Sequence, residues 1–347
     1  MGVDQSDEVD PKPRRPLLRQ AVLLLIAGVS LYLIAPSLVE VFSSSSQLSE
    51  LRPFSLVVVA SWQALAFMAL WSLQRLVIGT HRWLPVITSH LAANAVGRLV
   101  PGGAATSTAV QYRLLRVAGI DPSSVASALA TTGLFQIAVM TAIPVVALPA
   151  VMLGGATSPT LLNGAMIGAT VFVLLFVVVG FVLRRDWPLG VVGTAIDRLS
   201  QRVLRRPEPA RPTADRLLEQ RDGLLASLHE RWIRASLLAV ARATCDFMSL
   251  MAAVAAFGIE ARPALVLLAF ASSQLFGLVP LTPGGLGFVE AGLTGTLALA
   301  GLSPAEAVVV TMLYRLFSFW VPVPLGGIAG VVHRLRFGEG MAVKPAE

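Results

Sequence analysis

Of the ionisable side chains that interrupt apolar stretches, four are candidates for chemistry: Arg98, Asp246, Glu290 and Arg315. Asp246 lies 11 residues into its apolar run, and Arg315 lies 11 residues beyond Pro304. At 1.5 Å per helical residue, both reach roughly 16 Å into a layer whose hydrocarbon core is about 30 Å thick. A charge at that depth costs roughly 2.5–3.5 kcal/mol even on lenient insertion scales, so it is paired or functional. Arg242 stands one helical turn before Asp246, and the two read as a local i, i+4 ion pair. Arg98, Glu290 and Arg315 read either as a salt-bridge network that holds helices together or as a binding site. Two arginines and one carboxylate in one pocket leave a net positive charge that an anion would balance.

The same region carries two glycine-rich breaks. Pro101-Gly102-Gly103 follows Arg98, and Pro283-Gly284-Gly285 precedes Glu290. A helix that starts just after such a break points unpaired N–H groups and the positive end of its dipole at the break, which favours an anion there. Thr106, Ser107 and Thr108 follow the first break. Their hydroxyls add donors, or serve simply as helix caps. The candidate substrate-binding set is therefore Arg98, Pro101, Gly102, Gly103, Thr106, Pro283, Gly284, Gly285, Glu290 and Arg315, and it suits a phosphate headgroup.

Other chemistry finds little support. The four histidines (His81, His90, His229, His333) have no metal-ligand spacing, and Cys245 is the sole cysteine, so neither a disulfide nor a thiolate metal site is expected. No Ser–His–Asp arrangement or paired-carboxylate motif is recognisable, and Gly284–Gly287 lacks the strand and the lysine of a phosphate-binding loop. The expectation is a protein that is not an enzyme and needs no cofactor or metal.

These residues must be positioned by helices in lipid. The chain is 55% hydrophobic and only 14% charged, against about 25% charged in soluble domains. A water-soluble fold could not hide that much apolar surface. The net charge of +7 would fit nucleic acid, but the arginines sit at the ends of apolar runs, which is the pattern of membrane topology. The fold class is all-α and polytopic. Full spans are expected at 20–42, 54–79, 122–153, 161–183, 235–257 and 304–333. The first of these could pass for a signal peptide, yet its core is long and no small-residue cleavage pattern follows. Residues 1–19 and 336–347 read as cytoplasmic tails, 20–335 as one membrane domain, and 184–234 as a basic cytoplasmic segment as long as a helical hairpin. Arg198, Arg202, Arg205 and Arg206 of that segment would sit near anionic headgroups, or serve to set topology alone.

An internal repeat organises the domain. At a constant offset of 182 residues, Pro101-Gly102-Gly103 matches Pro283-Gly284-Gly285, Ala118-Gly119 matches Ala300-Gly301, and Pro122 matches Pro304. Both copies (about 84–153 and 264–333) read as half-helix, break, half-helix, Gly-x-x-Pro turn and full span. Backbone broken in mid-membrane survives only inside protein or beside water, so each copy is a candidate re-entrant hairpin. With six spans and two hairpins, 22 of the 27 Lys and Arg residues fall on one side and only Arg52 and Arg262 on the other. The positive-inside rule makes the first side cytoplasmic. The hairpins then enter from opposite sides, as in inverted-repeat transporters whose sites lie near the midplane.

Gly97-Arg98-Leu99-Val100-Pro101-Gly102-Gly103 and Pro280-Leu281-Thr282-Pro283-Gly284-Gly285-Leu286-Gly287-Phe288-Val289-Glu290 resemble the two signature segments of the lysylphosphatidylglycerol synthase transmembrane family. That family includes the flippase half of multiple peptide resistance factors. The resemblance implies the membrane half alone, without the soluble aminoacyl-transferase domain. It also implies a multi-pass protein of the bacterial inner (plasma) membrane that moves phospholipids or lipid-linked molecules between leaflets. The first segment departs from the family's acidic pattern, with Ala104-Ala105-Thr106-Ser107-Thr108 after the glycines and no Glu. Membrane lipids are the expected partners, and nucleic acid is not. Two other readings stand beside transport: a membrane partner of an envelope-lipid biosynthetic enzyme, and an integral-membrane lipid-carrier transferase. A polar cavity between the hairpin tips, open to a leaflet, would separate transport from the partner reading, and a carboxylate cluster facing the cytoplasm would raise the transferase.

Overall fold

The computed structural model describes residues 53–100, 103–153, 159–204, 212–228, 231–277 and 283–338. They form helices throughout, with no strand among the described residues. In chain order these are α1 (Pro53–Ile78), α2 (Trp83–Leu99), α3 (Gly103–Val117), α4 (Pro122–Leu153), α5 (Pro159–Arg184), α6 (Asp186–Leu204), α7 (Thr213–Leu228), α8 (Trp232–Ala256), α9 (Pro263–Gly277), a 3₁₀ turn (Pro283–Gly285), α10 (Phe288–Leu299), α11 (Pro304–Arg315), a π-helical turn (Leu316–Trp320) and α12 (Pro322–Phe337).

Four of these stretches are long and apolar enough to cross a bilayer: Pro53–Ile78, Pro122–Ala147, Trp232–Ala256 and Pro304–Phe337. α5, 26 residues long, corresponds to the span expected at 161–183. The span expected at 20–42 lies outside the described residues. Polarity is distributed for lipid rather than for water. Val146 and Phe176 are 70% and 68% exposed, while Asp246 and Glu290 are each 5% exposed. Large apolar side chains exposed along whole helices, with carboxylates inside, fit surroundings of hydrocarbon rather than water. The chain is a multi-pass membrane protein.

The last span explains the architecture. Its second half, α12, runs along α2, and small residues allow the contact. A Cβ on Gly326 would come within 2.3 Å of the Leu91 carbonyl, and a Cβ on Gly330 within 3.5 Å of Ala92. Further along, His333 Nδ1 is 2.7 Å from the Thr88 hydroxyl and its Nε2 is 3.0 Å from the Leu114 carbonyl. Arg82, just before α2, donates to the Ala118 carbonyl just after α3 at 3.3 Å and lies over the ring of Phe337. Both ends of the α2–α3 hairpin therefore lie beside the end of the last span, while its tip reaches the middle of that span. That is a re-entrant hairpin.

The second hairpin mirrors it on the first half of the span. Val266 and Phe270 of α9, Leu293 and Leu297 of α10, and Ala307, Val310 and Leu313 of α11 share one core. Thr296 donates to the Ala269 carbonyl at 3.3 Å, and Thr294 to Thr311 at 3.1 Å. The two hairpins enter from opposite ends and meet at the π turn. Each then turns into its span in the same way. Gly119 and Gly301 have φ of 82° and 107°. Ile120 N–H bonds the Leu115 carbonyl and Leu302 N–H bonds the Leu297 carbonyl, each at 3.2 Å, as in a Schellman cap. Asp121 then caps α4 through the Ser124 N–H at 2.9 Å, and Ser303 caps α11 in a capping box with Glu306.

The repeat extends one helix further than the sequence identities reach. α1 precedes the first hairpin as α8 precedes the second, and the two pack antiparallel. Ser249 donates to the Val59 carbonyl at 3.1 Å, and Arg231 to the Leu76 carbonyl at 3.3 Å at the other end. Between the two halves, α6 and α7 pack as a helical pair. A Cβ on Gly193 would lie 2.4 Å from the Ala214 backbone, and the Asp197 carboxylate accepts from the Thr213 N–H at 2.9 Å.

Candidate functional site

Arg98 is the last basic residue of α2, where the first hairpin turns. Its Nη2 donates to the Ser318 carbonyl at 2.7 Å, and its Nη1 donates to the Phe319 carbonyl. The π turn makes this possible. In α-helical register the Ser318 carbonyl would bond the N–H of residue 322, which is proline and has none. The guanidinium supplies the missing donor. Its Cζ also lies 4.5 Å from the centroid of the Phe319 ring, and Arg315 Cζ lies 4.3 Å from the same centroid. The two arginines therefore share one aromatic ring, far closer than the roughly 20 Å, two helix diameters, that would have ruled out a common site.

The second tip closes on the same place. Gly284, with φ of 60°, faces the Arg98 carbonyl, and a Cβ there would lie 2.9 Å from that oxygen and 2.8 Å from the Phe319 ring. Gly285 and Gly287 also have positive φ, at 72° and 76°. On the first hairpin, a Cβ on Gly103 would overlap the Gly97 carbonyl at 1.6 Å, so the two half-helices touch backbone to backbone. Pro101 and Gly102 lie outside the described residues. Thr106 does not line the cavity described below, and Thr108 donates back to the Ala104 carbonyl at 3.0 Å instead of capping α3.

Arg315 pairs with Glu290. Its Nε donates to Oε1 at 2.7 Å, and Nη2 lies 2.6 Å from the same oxygen, with both side chains buried. Arg98, Glu290 and Arg315 thus cluster, but they do not form one ring of mutual contacts. Arg98 is bonded to carbonyls, and Glu290 is not among the residues that line the adjacent cavity.

That cavity has a volume of about 210 Å³. Its wall includes Gln63 of α1, His90, Asn94 and Arg98 of α2, Gln136 of α4, Arg242 and Asp246 of α8, Gln274 of α9, and Tyr314, Arg315 and Ser318 of the last span. Most of these lie near the centres of their helices, so the polar space is at mid-span. Asp246 accepts from the Tyr314 hydroxyl at 2.9 Å and faces Gln274 Nε2 at 3.5 Å. This corrects the sequence reading of a local pair. Among the described residues Asp246 makes no ion pair with Arg242; its carboxylate accepts from Tyr314 and Gln274 instead. Among the described residues no group of three or more His, Cys, Asp or Glu side chains forms a metal site.

Sequence reasoning missed His90, Asn94, Gln63, Gln136, Gln274, Tyr314 and Ser318. A signal was available for the first two. His90, Asn94 and Arg98 are spaced i, i+4, i+8, which puts one polar stripe on an otherwise apolar half-helix.

The fold and this cavity define a polytopic membrane protein built as an inverted repeat around a polar, cationic centre. The chain belongs to the family described as the lysylphosphatidylglycerol synthase TM region, whose model matches residues 20–326. It is similar to a UPF0104 membrane protein of Methanothermobacter thermautotrophicus, 33% identical over 89 residues, which is 26% of this chain and 25% of that protein. It is also similar to a UPF0104 membrane protein of Pyrococcus horikoshii, 41% identical over 69 residues, which is 20% of this chain and 21% of that protein. The matched stretch covers about a quarter or less of the length of these relatives.

Proposed function

We propose that this protein moves an anionic phospholipid or lipid-linked molecule between the leaflets of the cell membrane, with its arginine-rich end on the cytoplasmic side. The observation that carries this reading is the charge of the cavity. Arg98, Arg242 and Arg315 reach it, Asp246 is the carboxylate in its wall, and Glu290 is paired behind it with Arg315. One positive charge is left over at a depth where an isolated charge is costly. An anionic headgroup supplies the balance. The volume of about 210 Å³ is below the roughly 300–1,000 Å³ of sites that enclose whole drug-sized ligands. It takes a headgroup and leaves the acyl chains in the bilayer.

The test is reconstitution. Vesicles containing the purified protein and a trace of fluorescent phosphatidylglycerol are quenched from outside with dithionite. Protein-dependent loss of the inner-leaflet signal supports the reading, provided that fluorescent phosphatidylcholine moves much more slowly. Vesicles no faster than protein-free ones, or equal rates for both lipids, would refute transport of an anionic lipid.

A further inference from the structure

Three arginines line the cavity, and two of them are already held. Arg98 uses both terminal nitrogens on the carbonyls of Ser318 and Phe319. Arg315 directs Nε and Nη2 at Glu290. Arg242 differs. It sits at the middle of α8, lines the cavity, and has neither a hydrogen bond nor an ion pair among the described residues. Asp246, one turn further on, is engaged by Tyr314 and Gln274.

A second, independent observation points into the same space. His90 Nε2, Gln63 Oε1 and Ser318 Oγ, like Arg315 Nη2, are buried atoms with no hydrogen-bond partner among the described residues, and their residues line the cavity. Buried polar atoms without partners are rare, and several around one cavity mark a place that something polar fills. The His90 ring packs edge-on against Phe67 and Trp71, with centroids at 6.2 and 6.5 Å. One free cation, one ring nitrogen, one hydroxyl and one amide oxygen match a phosphate oxyanion with a hydrogen-bonding substituent.

We propose that Arg242 is the residue that holds the phosphate oxyanion of the translocated lipid, with His90 Nε2 and Ser318 Oγ as donors and Gln63 Oε1 accepting from the headgroup substituent. Arg98 and Arg315 are then positioning residues that fix the hairpin tips. This assignment rests on the anionic-lipid reading above. A planar guanidinium grips two oxygens at once, and an ammonium cannot, so lysine replaces Arg242 only in part.

The experiment measures thermal unfolding of the purified protein in detergent against three probes: dihexanoyl-phosphatidylglycerol, dihexanoyl-phosphatidylcholine and inorganic phosphate. The wild type is expected to be stabilised saturably by the glycerol lipid and not by the choline lipid. Arg242→Gln keeps the ligand-free unfolding temperature but needs about tenfold more lipid or worse, the loss expected for a charge-assisted bond. Arg242→Lys falls between, and it carries the test if the glutamine variant does not accumulate. Arg98→Gln, by contrast, lowers the ligand-free unfolding temperature. Full stabilisation by inorganic phosphate alone, lost in Arg242→Gln, keeps Arg242 as the oxyanion anchor but identifies the ligand as free phosphate. Unchanged lipid affinity in both Arg242 variants overturns the assignment and leaves the anionic-lipid reading standing. No saturable shift in the wild type with either anion overturns both.

Discussion

The guanidinium of Arg98 donates to the carbonyl of Ser318 at 2.7 Å, 220 residues away in the chain. Pro322 leaves that carbonyl without its helical donor, and the first hairpin supplies one from the other half of the repeat. A break in the last span and the tip of a re-entrant hairpin therefore satisfy each other, which is what broken backbone in a membrane requires.

Arg98→Gln should lower thermal stability by on the order of 2 kcal/mol, the cost of leaving buried carbonyls unbonded. Arg98→Lys should recover only part of this, because one ammonium does not span two carbonyls and stack on Phe319 as a fork does. Thermal unfolding in detergent measures both. Equal stability of Arg98→Gln and the wild type would show that the tip contact is dispensable.

The Glu290–Arg315 pair is expected to behave as a buried unit. Removing either partner leaves an uncompensated charge and should cost roughly 3–5 kcal/mol, a large share of the stability of an ordinary domain. The double variant Glu290→Gln with Arg315→Gln should lose less than the two single variants together. A double-mutant cycle on unfolding free energy reads the coupling. Strict additivity would contradict it.

Gly103→Ala should prevent the first hairpin from closing, since its Cβ would overlap the Gly97 carbonyl at 1.6 Å. Gly133→Ala is the control. Nothing lies within 4 Å of a Cβ there, and alanine favours the helix by up to about 1 kcal/mol. Folded yield after size-exclusion chromatography distinguishes them. Equal yields would contradict the hairpin packing.

Topology is tested by single cysteines in a Cys245→Ala background. Thr80→Cys, between α1 and α2, should be labelled by an impermeant thiol reagent only when the cytoplasmic face is open. Glu260→Cys, between α8 and α9, should be labelled in intact cells. Labelling of both positions from the same face would refute the inverted arrangement.

Much of this fold was legible because punctuation in membrane helices is scarce. The paired Pro-Gly-Gly breaks and Gly-x-x-Pro turns at one offset mark the two hairpins, and Gly119 and Gly301 adopt the positive φ that such turns need. The partners of the buried charges were less legible. Arg242 and Asp246 have the spacing of a helical ion pair, yet the Asp246 acceptor goes to Tyr314, 68 residues on. Local spacing says which side chains share a helix face and not which helix packs against it. The π turn was equally hidden, since Pro322 marks a carbonyl that loses its donor but not the distant arginine that replaces it.

The most direct test of the account asks whether a headgroup passes through the cavity. Gln136 lines the cavity from α4 and carries no charge. In a Cys245→Ala background, Gln136→Cys is reconstituted, treated with a bulky methanethiosulfonate reagent, and assayed for translocation of fluorescent phosphatidylglycerol. Labelling is expected to stop translocation, and a reductant to restore it. Full translocation by the labelled protein would contradict passage through this cavity.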